Sequence, residues 1–261
     1  MTRIYEALEQ AEKERGGIRG KPIIPQPRRS PLKVSHMGGR TRPGRRVLAA
    51  GPDVHLEQTM AALYQSLVAM LPDAGGRSIQ FIGTGKGEGA STLVREFAKT
   101  AAFKLGKSVL LLDADQDEPC QLGLFNVVPQ HGWEECIRNG TPLQDSIHRV
   151  GEERLFASQV SVQPSRASRV FDLPKIGEFF EVLKEHFDLV LVDAPAASVS
   201  SDGFALSRRV DGVVMVVEAE KTRRQAARKT KGKIEDHGGT VLGVILNRRR
   251  YPIPAWLYRW M

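Results

Sequence analysis

Six apolar runs recur along the C-terminal part of the chain: SIQFI (78–82), SVLLLD (108–113), LFASQ (155–159), FDLVLVD (187–193), GVVMVVE (212–218) and TVLGVILN (240–247). SVLLLD, FDLVLVD, GVVMVVE and TVLGVILN hold continuous hydrophobic stretches rather than alternating ones. That pattern marks strands buried on both faces, as in a parallel sheet. Helical patterns fall between them, near 90–105, at 174–186 and, strongly basic, at 222–237. Strands alternating with helices predict a doubly wound α/β fold with a mostly parallel sheet in a single domain. Upstream, LEQTMAALYQSLVAML (56–71) reads as a helix stopped by Pro72. Its apolar stripe needs a cover, either a partner protein or a groove on the domain itself. Ile4, Ala7, Leu8 and Ala11 give residues 1–15 the spacing of a short amphipathic helix. Residues 16–53 hold six prolines, seven glycines and many arginines, which cannot build a core and predict a flexible basic linker.

Composition narrows the class. A chain of 261 residues has room for one sizeable core. No apolar run approaches the roughly 18 residues a membrane span needs, and the charged N-terminus has no signal region, so a cytoplasmic protein is expected. Cys120 and Cys136 lack metal-binding spacing and read as reduced. The net charge of +8 is uneven. Residues 1–50 carry 12 basic and 4 acidic residues, 221–261 carry 11 and 2, and the middle is acidic. Two basic ends fit anionic partners such as a membrane face, nucleic acid or an acidic protein. They fit a solvated tail and a charged helix face equally well.

The candidate chemistry lies at strand ends. GTGKGEGAST (83–92) follows the first strand and nearly matches the phosphate-binding loop G-x-x-x-x-G-K-[ST]. In such a loop the glycines let backbone N–H groups approach phosphates, the lysine reaches the outer phosphates and the hydroxyl binds Mg²⁺. Gly87, Gly89, Ser91 and Thr92 are in place, with Gly85 and Glu88 as further loop contacts, but Ala90 stands at the lysine position. Asp113 and Asp115 follow the second strand, Asp193 follows a later one, and Asp202 begins the next helix. Ser91, Asp113 and Asp193 are the candidate Mg²⁺ ligands of a P-loop NTPase-like site. Any one carboxylate could instead cap a helix, but together with the glycine loop they favour a nucleotide site.

GTGKGEGAST, VLLLDADQDEP, FDLVLVDAPAASVSSDGFALSRRVDGVVMVVEAEKTRR and GVILNRRRYPIPAWLYRWM resemble the bacterial tyrosine kinases of exopolysaccharide synthesis, over residues 51–261. The resemblance implies ATP and Mg²⁺ as cofactors, Gly87, Gly89, Ser91 and Thr92 in Walker A, Asp113 and Asp115 in Walker A′ as catalytic carboxylates, and Asp193 in Walker B. It implies autophosphorylation of a tail, where Tyr251 and Tyr258 stand, and recruitment to the inner face of the membrane by a polysaccharide co-polymerase. The match departs in three places. Ala90 replaces the lysine. Glu57 is followed by Met60 and Leu63 where the family's oligomerisation helix has arginines, which weakens the case for a homo-oligomer. The tyrosine cluster is thin, and Tyr251 and Tyr258 fit a docked aromatic tail as well as phosphosites. Lys86 is the one loop cation that could substitute, one position from the register of the extra lysine in partition and division-site ATPases, which aligns with Gly85. It also reads as a plain solvated lysine. Three functions stay open: a slow tyrosine autokinase, a non-catalytic regulator of the same machinery, and a DNA-associated partition ATPase. The missing lysine pair and the C-terminal stretch disfavour the last.

Overall fold

A computed structural model describes residues 54–72, 75–129, 131–151, 153–161, 171 and 175–249. The expected N-terminal helix 1–15, the linker 16–53, Tyr251 and Tyr258 lie outside them. In chain order the elements are α1 (Val54–Ala69), β1 (Arg77–Gly83), α2 (Ala90–Phe103), β2 (Val109–Asp113) and three short helices, α3 (Gln121–Leu124), α4 (Trp133–Asn139) and α5 (Leu143–Ser146). Then come β3 (His148–Val150), β4 (Leu155–Gln159), α6 (Ile176–His186), β5 (Leu189–Ala194), α7 (Asp202–Ser207), β6 (Gly212–Glu218), α8 (Arg224–Asp236) and β7 (Val241–Asn247).

The seven strands form one sheet in the order β3-β4-β2-β5-β1-β6-β7. Every pairing is parallel except β3 with β4. All six apolar runs are strands. The seventh, HRV, is three half-buried residues with no apolar run to announce it. The chain leaves β1 toward β2 on one side and leaves β5 toward β6 on the other. The carboxyl ends of β1 and β5 therefore flank the crevice where doubly wound sheets bind ligands.

Helices cover both faces. On one, Val94, Phe97, Ala98 and Ala101 of α2 pack on Ile79, Phe81, Leu111, Leu191 and Val214. On the other, Ile176, Phe180 and Leu183 of α6 pack on Leu110, Leu112, Val190 and Val192, and Ile234 of α8 packs with Val213 and Met215. The cover for α1 is the domain itself. Met60, Tyr64, Leu67 and Leu71 are buried, and Tyr64 lies 6.2 Å from Phe97, ring centroid to centroid. Each such side chain contributes about 2 kcal/mol of apolar transfer. Met60 and Leu63, where the kinase family keeps arginines, thus serve the intrachain core, and Glu57 pairs with Lys104 at 3.2 Å.

The opposite, amino-terminal edge of the sheet is clamped. Asp211 accepts the N–H and hydroxyl of Ser78 at 2.7 and 2.9 Å, and Lys184 reaches its other oxygen at 3.1 Å. Gly76 passes directly under α6: a Cβ there would run into the carbonyl oxygens of Lys184 and Phe187. Backbone cannot yield as a side chain does, so Gly76→Ala is expected to destabilise the domain by about 3 kcal/mol. The measurement is the urea midpoint, which should fall at unchanged slope.

Candidate nucleotide site

The loop after β1 is built for anions. Gly87 and Gly89 adopt φ of 82° and 93°, left-handed conformations that favour glycine. Gly89 is the N-cap of α2, so free N–H groups and the positive end of the helix dipole point out of the loop. The loop is held from the side of β6 and β7. Asn247 donates from Nδ2 to the Glu88 carbonyl at 2.8 Å and leaves no room for a Cβ on Gly89. The buried Glu88 carboxylate accepts the Thr222 hydroxyl, whose oxygen accepts the Glu218 N–H at 2.9 Å.

Two carboxylates stand beside the loop. Asp113 and Asp193 are register partners at the ends of β2 and β5, and both are buried. Asp193 accepts Ser91 Oγ at 3.1 Å and Gln121 Nε2 at 2.6 Å. Gln121 also donates to the Ser91 carbonyl at 2.9 Å. Asp113 accepts three backbone N–H groups, from Asp115 (3.1 Å), Cys120 (2.7 Å) and Gln121 (2.9 Å). Its carbonyl accepts Trp133 Nε1 at 2.9 Å. Burial raises both carboxyl pKa values above the ordinary range. The N–H bonds to Asp113 oppose its shift, and the charge of Asp113 adds to that of Asp193. Carboxylate oxygens of Asp113 and Asp193 and the sulfur of Cys120 lie within 4.8 Å of one another. Two buried carboxylates with no cationic side chain bonded to them among the described residues, beside a hydroxyl, form an oxygen-rich set that fits a hard divalent cation such as Mg²⁺. The Cys120 thiol is pushed up to about 12 by burial and by the nearby aspartates, so it stays protonated beside them.

The structure separates the other sequence candidates. Asp115 accepts the N–H groups of Asp117 and Glu118, shaping the loop after β2, and its charge reaches both buried carboxylates. Thr92 is exposed on α2, and the Ala90 methyl packs against the core. Lys86 is exposed and paired with Glu118 at 2.6 Å, the bond that raises its pKa. Its ammonium spans from the glycine loop to the Asp115 loop. Asp202 opens α7. Sequence reasoning missed Cys120, Gln121, Thr222 and Asn247. Cys120 and Gln121 sit seven and eight residues past Asp113, and Asn247 ends a strand. Those positions were the available signal.

Loop, helix terminus and strand-end carboxylates on a parallel sheet define a P-loop NTPase-like fold. Residues 77–232 match the family model described as cellulose biosynthesis protein BcsQ. CapB of Staphylococcus aureus, whose name places it among the tyrosine-protein kinases, is 31% identical over 160 residues, 61% of this chain and 70% of CapB. The chain belongs to the BcsQ-like P-loop family and is a relative of the bacterial tyrosine-protein kinases. The succinoglycan biosynthesis transport protein ExoP of Rhizobium meliloti is 26% identical over 206 residues, 78% of this chain but 26% of ExoP. The crystal structure of the chimerical protein CapA2B2 superposes with a TM-score of 0.70 at 25% identity, over 77% of this chain and 88% of that one. The kinase domain of the Escherichia coli tyrosine kinase ETK shares the fold, with a TM-score of 0.70 at 19% identity over 85% and 88%. So does the septum site-determining protein MinD of Pyrococcus horikoshii OT3, complexed with Mg-ADP, at 0.57 and 19% over 70% and 76%.

Proposed function

We propose that this chain binds ATP with Mg²⁺ at the loop 83–92 and regulates polysaccharide polymerisation or export, with tyrosine autophosphorylation weak or absent. One observation carries the reading: the phosphate cradle and the Asp113–Asp193 pair are built, while the lysine position holds a methyl group packed on the core. Backbone N–H groups and a metal support binding, whereas charge at the transferring phosphoryl group is usually the largest catalytic contribution. Binding should therefore survive the loss of the lysine better than catalysis does.

In this reading Gly85, Gly87, Glu88 and Gly89 form the cradle, and Ser91, Asp113 and Asp193 hold the ion. Mg²⁺ would neutralise phosphate charge there. Thr92 and Asp115 act at the rim. The proposed partner is a membrane polysaccharide co-polymerase, which would bring a chain without a described membrane-spanning helix to the inner membrane face. Tyr251 and Tyr258 are the phosphosites to examine. The test is to incubate purified protein with ATP and Mg²⁺, measuring affinity by calorimetry and phosphotyrosine by mass spectrometry. Mg²⁺-dependent binding with little phosphotyrosine is expected. Robust modification of Tyr251 or Tyr258 would restore the autokinase reading, and no binding at all would leave the loop vestigial.

A further inference from the structure

The helix α8 is charged against its own stability. Arg223 at its N-cap and Arg224, Arg228, Lys229, Lys231 and Lys233 along it are all exposed. Arg224 with Arg228 and Lys229 with Lys233 are like-charge pairs at i,i+4, a spacing that disfavours the helix. Its first turn carries no acid, although an acid is what the dipole favours there. Lys231 is answered by Glu235 at 2.6 Å, and Lys233 lies over the Phe204 ring at 5.3 Å. Among the described residues, Arg223, Arg224, Arg228 and Lys229 have no ion pair or side-chain hydrogen bond. Only Thr230 and Ile234 of the helix are buried.

Beside α8 runs the edge strand β7. Val244 and Leu246 are 53% and 54% exposed. Their register partners are Met215 and Val217, and Met215 packs with Ile234 of α8. In a parallel pair, register partners share a face, so two exposed apolar side chains stand on the face that α8 covers. The nucleotide site makes no use of this surface.

We infer that the outer face of α8 and the adjoining edge of β7 bind an anionic lipid bilayer. Charge selects the occupant. Residues 250–261 contain Arg250 and Arg259 and no acid, so they do not answer cations. A second copy of this face would be equally cationic. Nucleic acid or an acidic protein would satisfy the arginines but gains less from Val244 and Leu246, whereas a bilayer interface takes both cations and apolar side chains. The segment that continues β7, with Tyr251, Trp256, Leu257, Tyr258 and Trp260, has the composition of membrane-interface sequence. The inference stands whether or not the chain binds ATP.

The test is co-sedimentation of the full chain with phosphatidylcholine vesicles, with or without phosphatidylglycerol, at physiological ionic strength. Binding to the anionic vesicles alone, weakened by added salt, is expected. Each basic residue adds roughly fivefold at an anionic surface, so joint replacement Arg224→Glu, Arg228→Glu and Lys229→Glu should lower binding by about a hundredfold or more. Val244→Asp with Leu246→Asp should lower it by about tenfold and leave any affinity for duplex DNA unchanged. All five side chains are exposed, so thermal melts should be near wild type. Equal binding to both vesicle types, or none, would overturn the inference. So would DNA binding tighter than vesicle binding, or vesicle binding that survives the charge reversal and disappears on truncation after Arg249.

Discussion

Asp193→Asn is expected to weaken Mg²⁺-dependent nucleotide binding severely and, at the same time, to make the nucleotide-free protein more stable above neutral pH. The two effects share a cause. Asp193 is buried at the end of β5, beside its cross-strand partner Asp113, and its hydrogen-bond partners are neutral: the Ser91 hydroxyl and the Gln121 amide. Burial, then the charge of Asp113, raises its pKa above the ordinary carboxylate value of 3.8. A raised native pKa means that the folded state holds its proton more tightly than the unfolded state does. Its contribution to stability is therefore fully present below the ordinary value and is lost as pH rises through the native one. The wild-type protein should lose melting temperature between about pH 4 and 7 without metal, and Mg²⁺ with nucleotide should restore most of it. Asparagine removes one of the two buried charges, so the variant should lose less melting temperature across that range, the remainder coming from Asp113, with a gain on the order of 2 kcal/mol at the alkaline end. It should also lose about a hundredfold in Mg²⁺-dependent affinity, since a metal site needs the charge that the apo fold resists. Melts across pH with and without Mg²⁺, and calorimetric titration with ATP, measure both. A variant with the wild-type pH slope, or with undiminished affinity, would show that Asp193 serves the fold alone.

The elements that place this site were legible because each answers to a local rule. Runs such as VLLLD and LVLVDA are long enough and apolar enough that only a doubly covered strand accommodates them. Gly87 and Gly89 mark a loop whose backbone can approach an anion, and both adopt left-handed backbone there. What stayed illegible depends on pairing across the sheet. Gln121 reaches Asp193 because β2 and β5 are neighbours, and Asn247 reaches Glu88 because β7 lies beside β6. No spacing along the chain encodes those neighbours. Asp115 illustrates the converse. Its position after a strand suggests chemistry, yet the turn that follows offers it two backbone N–H groups and it takes them. Lys86 was open between a substitute cation and a solvated lysine. The acid that holds it, Glu118, is 32 residues away and becomes a neighbour only through the parallel topology.

Ala90→Lys is expected to raise Mg²⁺–ATP affinity about tenfold and to raise phosphotyrosine formation by about a hundredfold, with Lys86→Ala silent on both. The cradle that the new lysine would serve is already in place. Gly89 caps α2 in the left-handed conformation, Asn247 holds the loop from β7, and Ser91 meets Asp193 on the metal side. Position 90 is the first residue of α2, where a four-carbon stem can run along the loop while its Cβ keeps the packing of the alanine methyl. A cation at a helix N-terminus costs about 0.3–1 kcal/mol without ligand. The variant should therefore be slightly less stable than wild type when empty and clearly more stable when ATP is bound. Lys86 cannot anticipate this gain while its ammonium is held by Glu118 at the exposed mouth of the loop. Ala90→Met separates charge from bulk, since it extends the side chain without an ammonium, and it should leave affinity and turnover at wild-type levels. Equal gains from methionine and lysine would mean that packing, not charge, limits the site. Strong phosphotyrosine on the wild-type protein that vanishes in Lys86→Ala would mean that Lys86 leaves Glu118 when ATP arrives and already supplies the missing cation.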